Sequence, residues 1–275
     1  MPLFQNSRPL SGLSAFIRVH LRLKFGPSAP SISSRKIQSE TIMPITVLFF
    51  GAHPDDVEWG VGGIALLLHQ RAVSFAVVDL TRGELGSRGT VEERNHEAMQ
   101  AAEFMGAQSR ENLALPDGGL ADTPANRILN ARAIRQHCPK IVVAPLWEDR
   151  HPDHAAAGLM VRNSALYCTL KKTDDPNPPH LPAAFLYYPL HKTIRPTFVT
   201  DITPVYPRKL ELLRLHHSQF GKTAEQHGVI PQGLGDYLHT LETRDRHLGS
   251  NIGVHFGEAL IADRPLKLNS IEDLL

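Results

Sequence analysis

ITVLFFG, residues 45–51, is a short apolar run that opens on β-branched residues and closes on a glycine, the pattern of a buried strand. Downstream, residues from about Glu58 to Arg71 read as a helix containing Ile64, Leu67 and Leu68, and Val73 to Leu80 is a second apolar run. A buried strand, a helix and another buried strand form a βα unit of the kind that starts a parallel sheet. The same alternation continues. Helices are predicted near Val91–Gly106, Pro124–His137 and after His154, and short strands over Asn112–Leu115 and Lys140–Pro145. Strands near Phe185–Pro189 and Thr197–Ile202, helices over Pro207–Ser218 and Asp236–His247, and a final strand near Gly253–Ile261 complete the pattern. Segments of this length predict an α/β chain: a single domain with a Rossmann-like, mostly parallel sheet flanked by helices.

In such sheets ligands collect beyond the carboxyl ends of the strands. Two related turns fall there. His53-Pro54-Asp55-Asp56 follows the first strand, and His151-Pro152-Asp153-His154 follows the Lys140 strand after Trp147-Glu148-Asp149-Arg150. A lone HPDD tetrapeptide can be an Asx turn with no further role. Two His-Pro-Asp turns, each after an apolar strand, point instead to one cleft built from both loops. Two imidazoles and a carboxylate form a recurrent zinc set that leaves one coordination position open, and His53, Asp56 and His154 supply that set. Zinc lowers the pKa of a water ligand to about 7 and polarises an amide carbonyl, which suits hydrolysis at neutral pH. Asp55 is placed to act as general base, and His151, with Asp153 orienting its ring, as acid or oxyanion partner. Fe²⁺ is an alternative ion, since His and carboxylate sites hold both metals.

Other chemistries fit poorly. The first turn carries acids where a dinucleotide pyrophosphate would sit, and Gly60, Gly62 and Gly63 come too late for GxGxxG, so close helix–sheet packing accounts for them better. No GxSxG occurs, and neither Cys138 nor Cys168 lies in a motif. The adjacent pair His216-His217 would diverge on a helix and make a poor chelate, which predicts exposed or partly buried histidines.

The 275 residues, 42% hydrophobic, are enough for a full core. The formal charge of +1 conceals an asymmetry: residues 1–42 hold six Lys/Arg against Glu40 alone, leaving 23 basic and 27 acidic residues, net −4, in the remainder. No nucleic-acid partner is implied. Two cysteines without metal spacing suit a reducing, cytoplasmic compartment, and no run approaches the ~18 apolar residues of a membrane span. Residues 1–42, rich in Ser and base, either form a disordered or cleaved extension or precede a true start at Met43; the domain proper is expected over 43–275.

AHPDDVEWGVGG (52–63) with RHPDHAAAG (150–158) resembles the LmbE/PIG-L-like zinc deacetylases. DLTRGELGSRGTVEERNHEA (79–98), LPDGGL (115–120), FVTDIT (198–203) and HSQF (217–220) extend the likeness to the subfamily that deacetylates N-acetylglucosaminyl L-malate in bacillithiol biosynthesis. The resemblance implies an enzyme that removes acetate from an N-acetylated amino-sugar conjugate. It implies His53, Asp56 and His154 as ligands of Zn²⁺, Asp55 as base, His151 held by Asp153 as its partner, and a homo-oligomer. It also implies Arg94 and Arg150 as substrate contacts, with Arg88 joining them, since the guanidinium fork suits carboxylates. Competing readings are a helix-surface charge for Arg94 and an ion pair with Asp149 or Glu148 for Arg150. Asp117 either touches a sugar hydroxyl or shapes its turn. Other GlcNAc conjugates (inositol, a chitin disaccharide, a thiol) remain as alternative substrates, and a non-catalytic carbohydrate- or metal-binding protein as the alternative class.

Overall fold

The computed structural model describes residues 45–192, 194–220, 237–267 and 269–270; the expected 1–42 extension lies outside the described residues. Strand β1 (Val47–Gly51) leads to helix α1 (Asp56–Gln70), β2 (Phe75–Thr81), α2 (Val91–Met105), β3 (Arg110–Leu115) and α3 (Pro124–His137). Then come β4 (Ile141–Pro145), α4 (Pro152–Tyr167), β5 (Ala184–Tyr188), β6 (Phe198–Asp201), α5 (Tyr206–Leu215), the single turn α6 (His217–Phe220), α7 (Tyr237–Ser250) and β7 (Gly257–Ala262). The strands form one sheet in the order β3-β2-β1-β4-β5-β7-β6. β1 pairs in parallel with β2 and β4, β2 with β3, and β4 with β5, whereas β7 runs antiparallel to both β5 and β6. The mostly parallel α/β fold is the one expected.

β1 and β2 are buried at every residue, as central strands covered on both faces by helices must be. Two apolar layers result. One joins Phe49, Phe75, Val77 and Leu66 to Leu212 and Leu241, and the other joins Leu48, Phe50 and Val78 to Ile134, Met160 and Val161. Because side chains alternate across a strand, consecutive residues of β1 feed opposite layers. Helix boundaries follow local chemistry. Thr90 and Glu93 make a reciprocal capping box on α2, which ends at Gly106 in the left-handed region (φ 79°). Pro124 and Pro152 sit in the first turns of α3 and α4, where a missing N–H costs nothing.

The strand order reverses between β1 and β4. β1 leads through α1 toward β2 and β3, while β4 leads toward β5, so the loops after β1 and β4 diverge at their carboxyl ends and leave a crevice between them. The glycines after the first turn do pack closely. A Cβ on Gly60 would lie 2.2 Å from the Tyr188 ring, and one on Gly63 2.8 Å from Ile202.

Two expectations need correction. β3 begins at Arg110, earlier than the apolar pattern suggested, because Arg110 is buried against Asp79 and Glu58 and so does not look like a strand residue in sequence. The helix predicted over Pro207–Ser218 stops at Leu215. His216 leaves helical geometry (φ −81°, ψ 59°) and is fully buried 3.1 Å from Glu58, not exposed or partly buried, whereas His217 stays open to solvent. The backbone bends there because the two side chains go to different places.

Candidate active site

Asp56 organises the first turn. Its Oδ2 accepts from the amides of Ala52 and His53, both at 2.9 Å, which fixes the loop leaving β1 and presents Oδ1 to the crevice. His154, in the first turn of α4, brings Nε2 to 3.2 Å from that Oδ1, and His53 Nδ1 lies 3.5 Å from Asp56 Oδ2. All three side chains are buried, and one ligand atom from each falls within 4.8 Å of the others. Their outward nitrogens are held as well. His53 Nε2 is 3.1 Å from Asp117 Oδ1, and His154 Nδ1 is 3.2 Å from Asp149 Oδ1. Carboxylates behind imidazoles are what orient metal-ligating histidines.

The electrostatics point the same way. Burial works against an imidazolium at His53, yet hydrogen bonds to Asp117 and Asp56 and the charges of Asp56 and Asp55 outweigh it and lift its pKa to about 11. At His154 burial is again overcome, by the Asp56 charge and the bonds to Asp149 and Asp56, giving about 9. A pocket that draws protons onto two histidines is one that wants positive charge, and the donor set fits a divalent cation.

The other expected residues surround this cluster. His151 stands beside it, with ring centroids 5.0 Å from His53 and 4.5 Å from His154; burial, then the charges of His154 and His53, push its pKa down. Asp153 does not grip the His151 ring as expected. Its carboxylate accepts from the amides of Gly118 (2.6 Å) and Leu120 (3.2 Å) and lies 3.5 Å from His53 Nε2, while its own amide donates to His151 Nδ1 at 3.2 Å. Asp117 is engaged on both oxygens, by His53 and by the Leu85 amide at 2.8 Å.

Arg94 is a buried residue and not a helix-surface charge. It donates Nη1 to Gly83 O at 2.9 Å, and Nη2 sits 3.4 Å from Asp55 Oδ2. Arg88, half-buried, donates to Gln219 O at 3.3 Å. Asp55, Arg88, Arg94, Asp117, His53, His151, His154 and His191 line one cavity of about 360 Å³, with Trp59, Phe220 and Tyr237 on its wall. Arg150 is exposed and lines a different cavity. Neither Glu148, bound to Lys192, nor Asp149, bound to His154 and His191, pairs with it among the described residues.

Residues 48–165 match the family model described as PIG-L, GlcNAc-PI de-N-acetylase. The chain is 30% identical over 189 residues to the diacetylchitobiose deacetylase of Thermococcus kodakarensis, covering 63% of this chain and 70% of that protein. The chain belongs to the PIG-L/LmbE family of deacetylases. Within that family it is also 28% identical to a probable N-acetyl-alpha-D-glucosaminyl L-malate deacetylase 2 of Bacillus anthracis, over 71% of this chain and 91% of that one. A solved structure of a conserved protein from Thermus thermophilus superposes with a TM-score of 0.73 at 32% identity, covering 82% of this chain and 98% of that one.

Several residues of this PIG-L/LmbE site were missed in the sequence. Asp149 carried a signal, lying two residues before His151 in the second motif, but no spacing distinguished it from Glu148. His191, stacked on His154 at 5.1 Å and bonded to Asp149 at 3.1 Å, had none, and Trp59 on the cavity wall lay inside the first motif with no spacing that marked it.

Proposed function

We propose that this protein hydrolyses the N-acetyl group of a GlcNAc conjugate, releasing acetate and the free amine, with N-acetylglucosaminyl L-malate as its substrate. The observation that carries the reading is the buried His53, Asp56 and His154 cluster with Asp55 and His151 around the same cavity. His53, Asp56 and His154 would hold a divalent cation, Zn²⁺ foremost, which supplies a polarised amide carbonyl and a more acidic water.

The chain's own groups do the rest. Asp55 takes the proton of the attacking water, and Arg94 holds the Asp55 carboxylate in place from the Gly83 side. His151, across the cluster, steadies the developing oxyanion through its remaining ring N–H, and the proton that Asp55 has taken passes to the departing amine as the carbon–nitrogen bond breaks. Asp117 and Asp149 fix the ring orientations of His53 and His154, and Asp153 pins the 116–120 turn over the cavity through the Gly118 and Leu120 amides. Arg88 lines the same cavity, where it suits an anionic group of the conjugate.

The malate reading rests on the motifs shared with that subfamily and on the Bacillus anthracis relative. A chitin disaccharide is the second reading, favoured by the aromatic wall: Trp59 and Phe220 stack at 5.6 Å beside the cavity, a surface that suits a second sugar ring. Acetate release from N-acetylglucosaminyl malate, diacetylchitobiose, N-acetylglucosaminyl inositol and GlcNAc, before and after chelation and metal restoration, tests both. Release from none of them, or release indifferent to chelation, overturns the proposal. In the metal-replete enzyme Asp55→Asn is expected to lower kcat by ~10²–10⁴-fold with metal content unchanged. Turnover at the wild-type rate would remove Asp55 from its role.

A further inference from the structure

Helix α2 carries a carboxylate that the chemistry above does not use. Glu97 is fully buried one turn beyond Arg94, and both of its oxygens meet one short segment, the α6 turn. Oε1 accepts from the Ser218 amide at 2.8 Å, Oε2 accepts from the Ser218 hydroxyl at 2.7 Å, and His217 Nδ1 lies 3.1 Å from Oε1. A carboxylate removed from water needs donors to meet its charge, and hydrogen bonds to a charged group are the stronger class. Ser218 is therefore held firmly to the interior face of α2. Just before it, the buried His216 lies beside Glu58 of α1, so the chain entering the turn is seated as well.

The contacts continue into the cavity. Gln219 Nε2 donates to Arg88 O and to Ser218 Oγ, both at 2.9 Å, and Arg88 Nη1 donates back to Gln219 O at 3.3 Å. Gly89, at φ +70°, lets the 83–89 loop lie directly on the turn, since a Cβ there would be 2.8 Å from Ser218 Oγ. Phe220, the last residue of the turn, is stacked on Trp59. Arg88, Gln219, Phe220 and Trp59 all line the cavity that holds the histidine cluster.

We infer that Glu97 is a positioning residue for the substrate-binding wall: by holding Ser218 it fixes the α6 turn, and through Gln219 it fixes Arg88, so that Arg88 and Phe220 keep their places in the cavity. The inference rests on the deacetylase reading above and deepens it. The clamp includes neither the His53, Asp56 and His154 cluster nor Asp55, so its loss bears on how the conjugate is held and not on how fast its amide bond breaks.

In the metal-loaded enzyme Glu97→Gln keeps the size of the side chain but cannot accept at both ends. KM for N-acetylglucosaminyl malate is expected to rise about tenfold, with kcat within about twofold of wild type. Ser218→Ala opens the clamp from the partly exposed turn, leaves the interior of α2 intact, and carries the same expectation should the Glu97 variant fail to fold. Combined, the two changes should raise KM no further than one alone, because both remove the same contact. A second readout needs no turnover. Trp147→Phe leaves Trp59 as the sole tryptophan, and acrylamide should quench its fluorescence more strongly in either clamp variant, where Phe220 no longer covers it. KM and quenching unchanged in both variants overturn the clamp while leaving the deacetylase standing. A lowered kcat at constant KM overturns it too, since the effect would then run through Arg94 and Asp55. No acetate release from any conjugate, with quenching raised in both variants, overturns the deacetylase reading and leaves Glu97 as the residue that sets the cavity wall.

Discussion

At the scale of single residues, Asp149 was not among the expected site residues yet has the most partners around the second turn. It accepts from His154 Nδ1 (3.2 Å), His191 Nδ1 (3.1 Å) and the His151 and His191 amides (2.8 and 3.0 Å). Losing such a carboxylate behind a ligating imidazole typically weakens metal binding by ~10–100-fold. Asp149→Asn is therefore expected to need correspondingly more added metal for half-maximal activity, measured by titrating metal into the stripped enzyme; an unchanged midpoint would show that Asp149 does not act through His154. Cys168 behaves differently from Cys138. It is fully buried, and burial pushes its thiol up to about 12. Between the ordinary thiol value near 9.0 and about 12, the unfolded chain releases this proton and the folded one keeps it, so stability contributed below pH 9 is lost as pH rises. Thiol labelling at pH 8 should modify Cys138 in the native protein and reach Cys168 only on unfolding, and urea midpoints should fall above pH 9.

At the scale of elements, helix α1 shows how the first motif is braced. The chain leaves helical geometry at Val61 (φ −142°, ψ 23°), which frees amides on the following turn. Glu258 of β7 captures them, accepting from Gly63 at 2.8 Å and Ile64 at 2.6 Å. The glycines let α1 lie against the sheet. Tyr188 cannot yield to a Cβ at Gly60, since its ring is fully buried and its Oη donates to Phe50 O at 2.8 Å. Gly60→Ala should destabilise the protein by about 1–3 kcal/mol, read from denaturant midpoints. Activity per folded molecule should drop as well, because α1 carries Asp56 in its first turn. A neutral substitution would mean that helix and sheet are less tightly fitted than the 2.2 Å approach implies.

Across the whole molecule, buried charge ties distant segments together. Lys209 of α5, fully buried, is paired with Asp245 of α7 at 2.6 Å and Glu258 of β7 at 2.7 Å. Lys209→Met would strand two carboxylates in the interior, at a cost of about 3–5 kcal/mol in unfolding free energy. A Tm within a degree or two of wild type would contradict it. No helix of the described residues is long and apolar enough to cross a membrane. The sequence by itself determined the alternation of strands and helices, the two turns after β1 and β4, and the candidate metal set, because these depend on local periodicity and on residue types clustered within a few positions. It could not show that Arg94 is buried against Asp55, that Asp153 binds the 116–120 turn, that His216 sits beside Glu58, or that Glu97 holds Ser218. Those facts join residues from separate elements. Only the packing of the helices on the sheet decides which polar side chains lose water, and a buried charge takes whichever partner that packing leaves within reach.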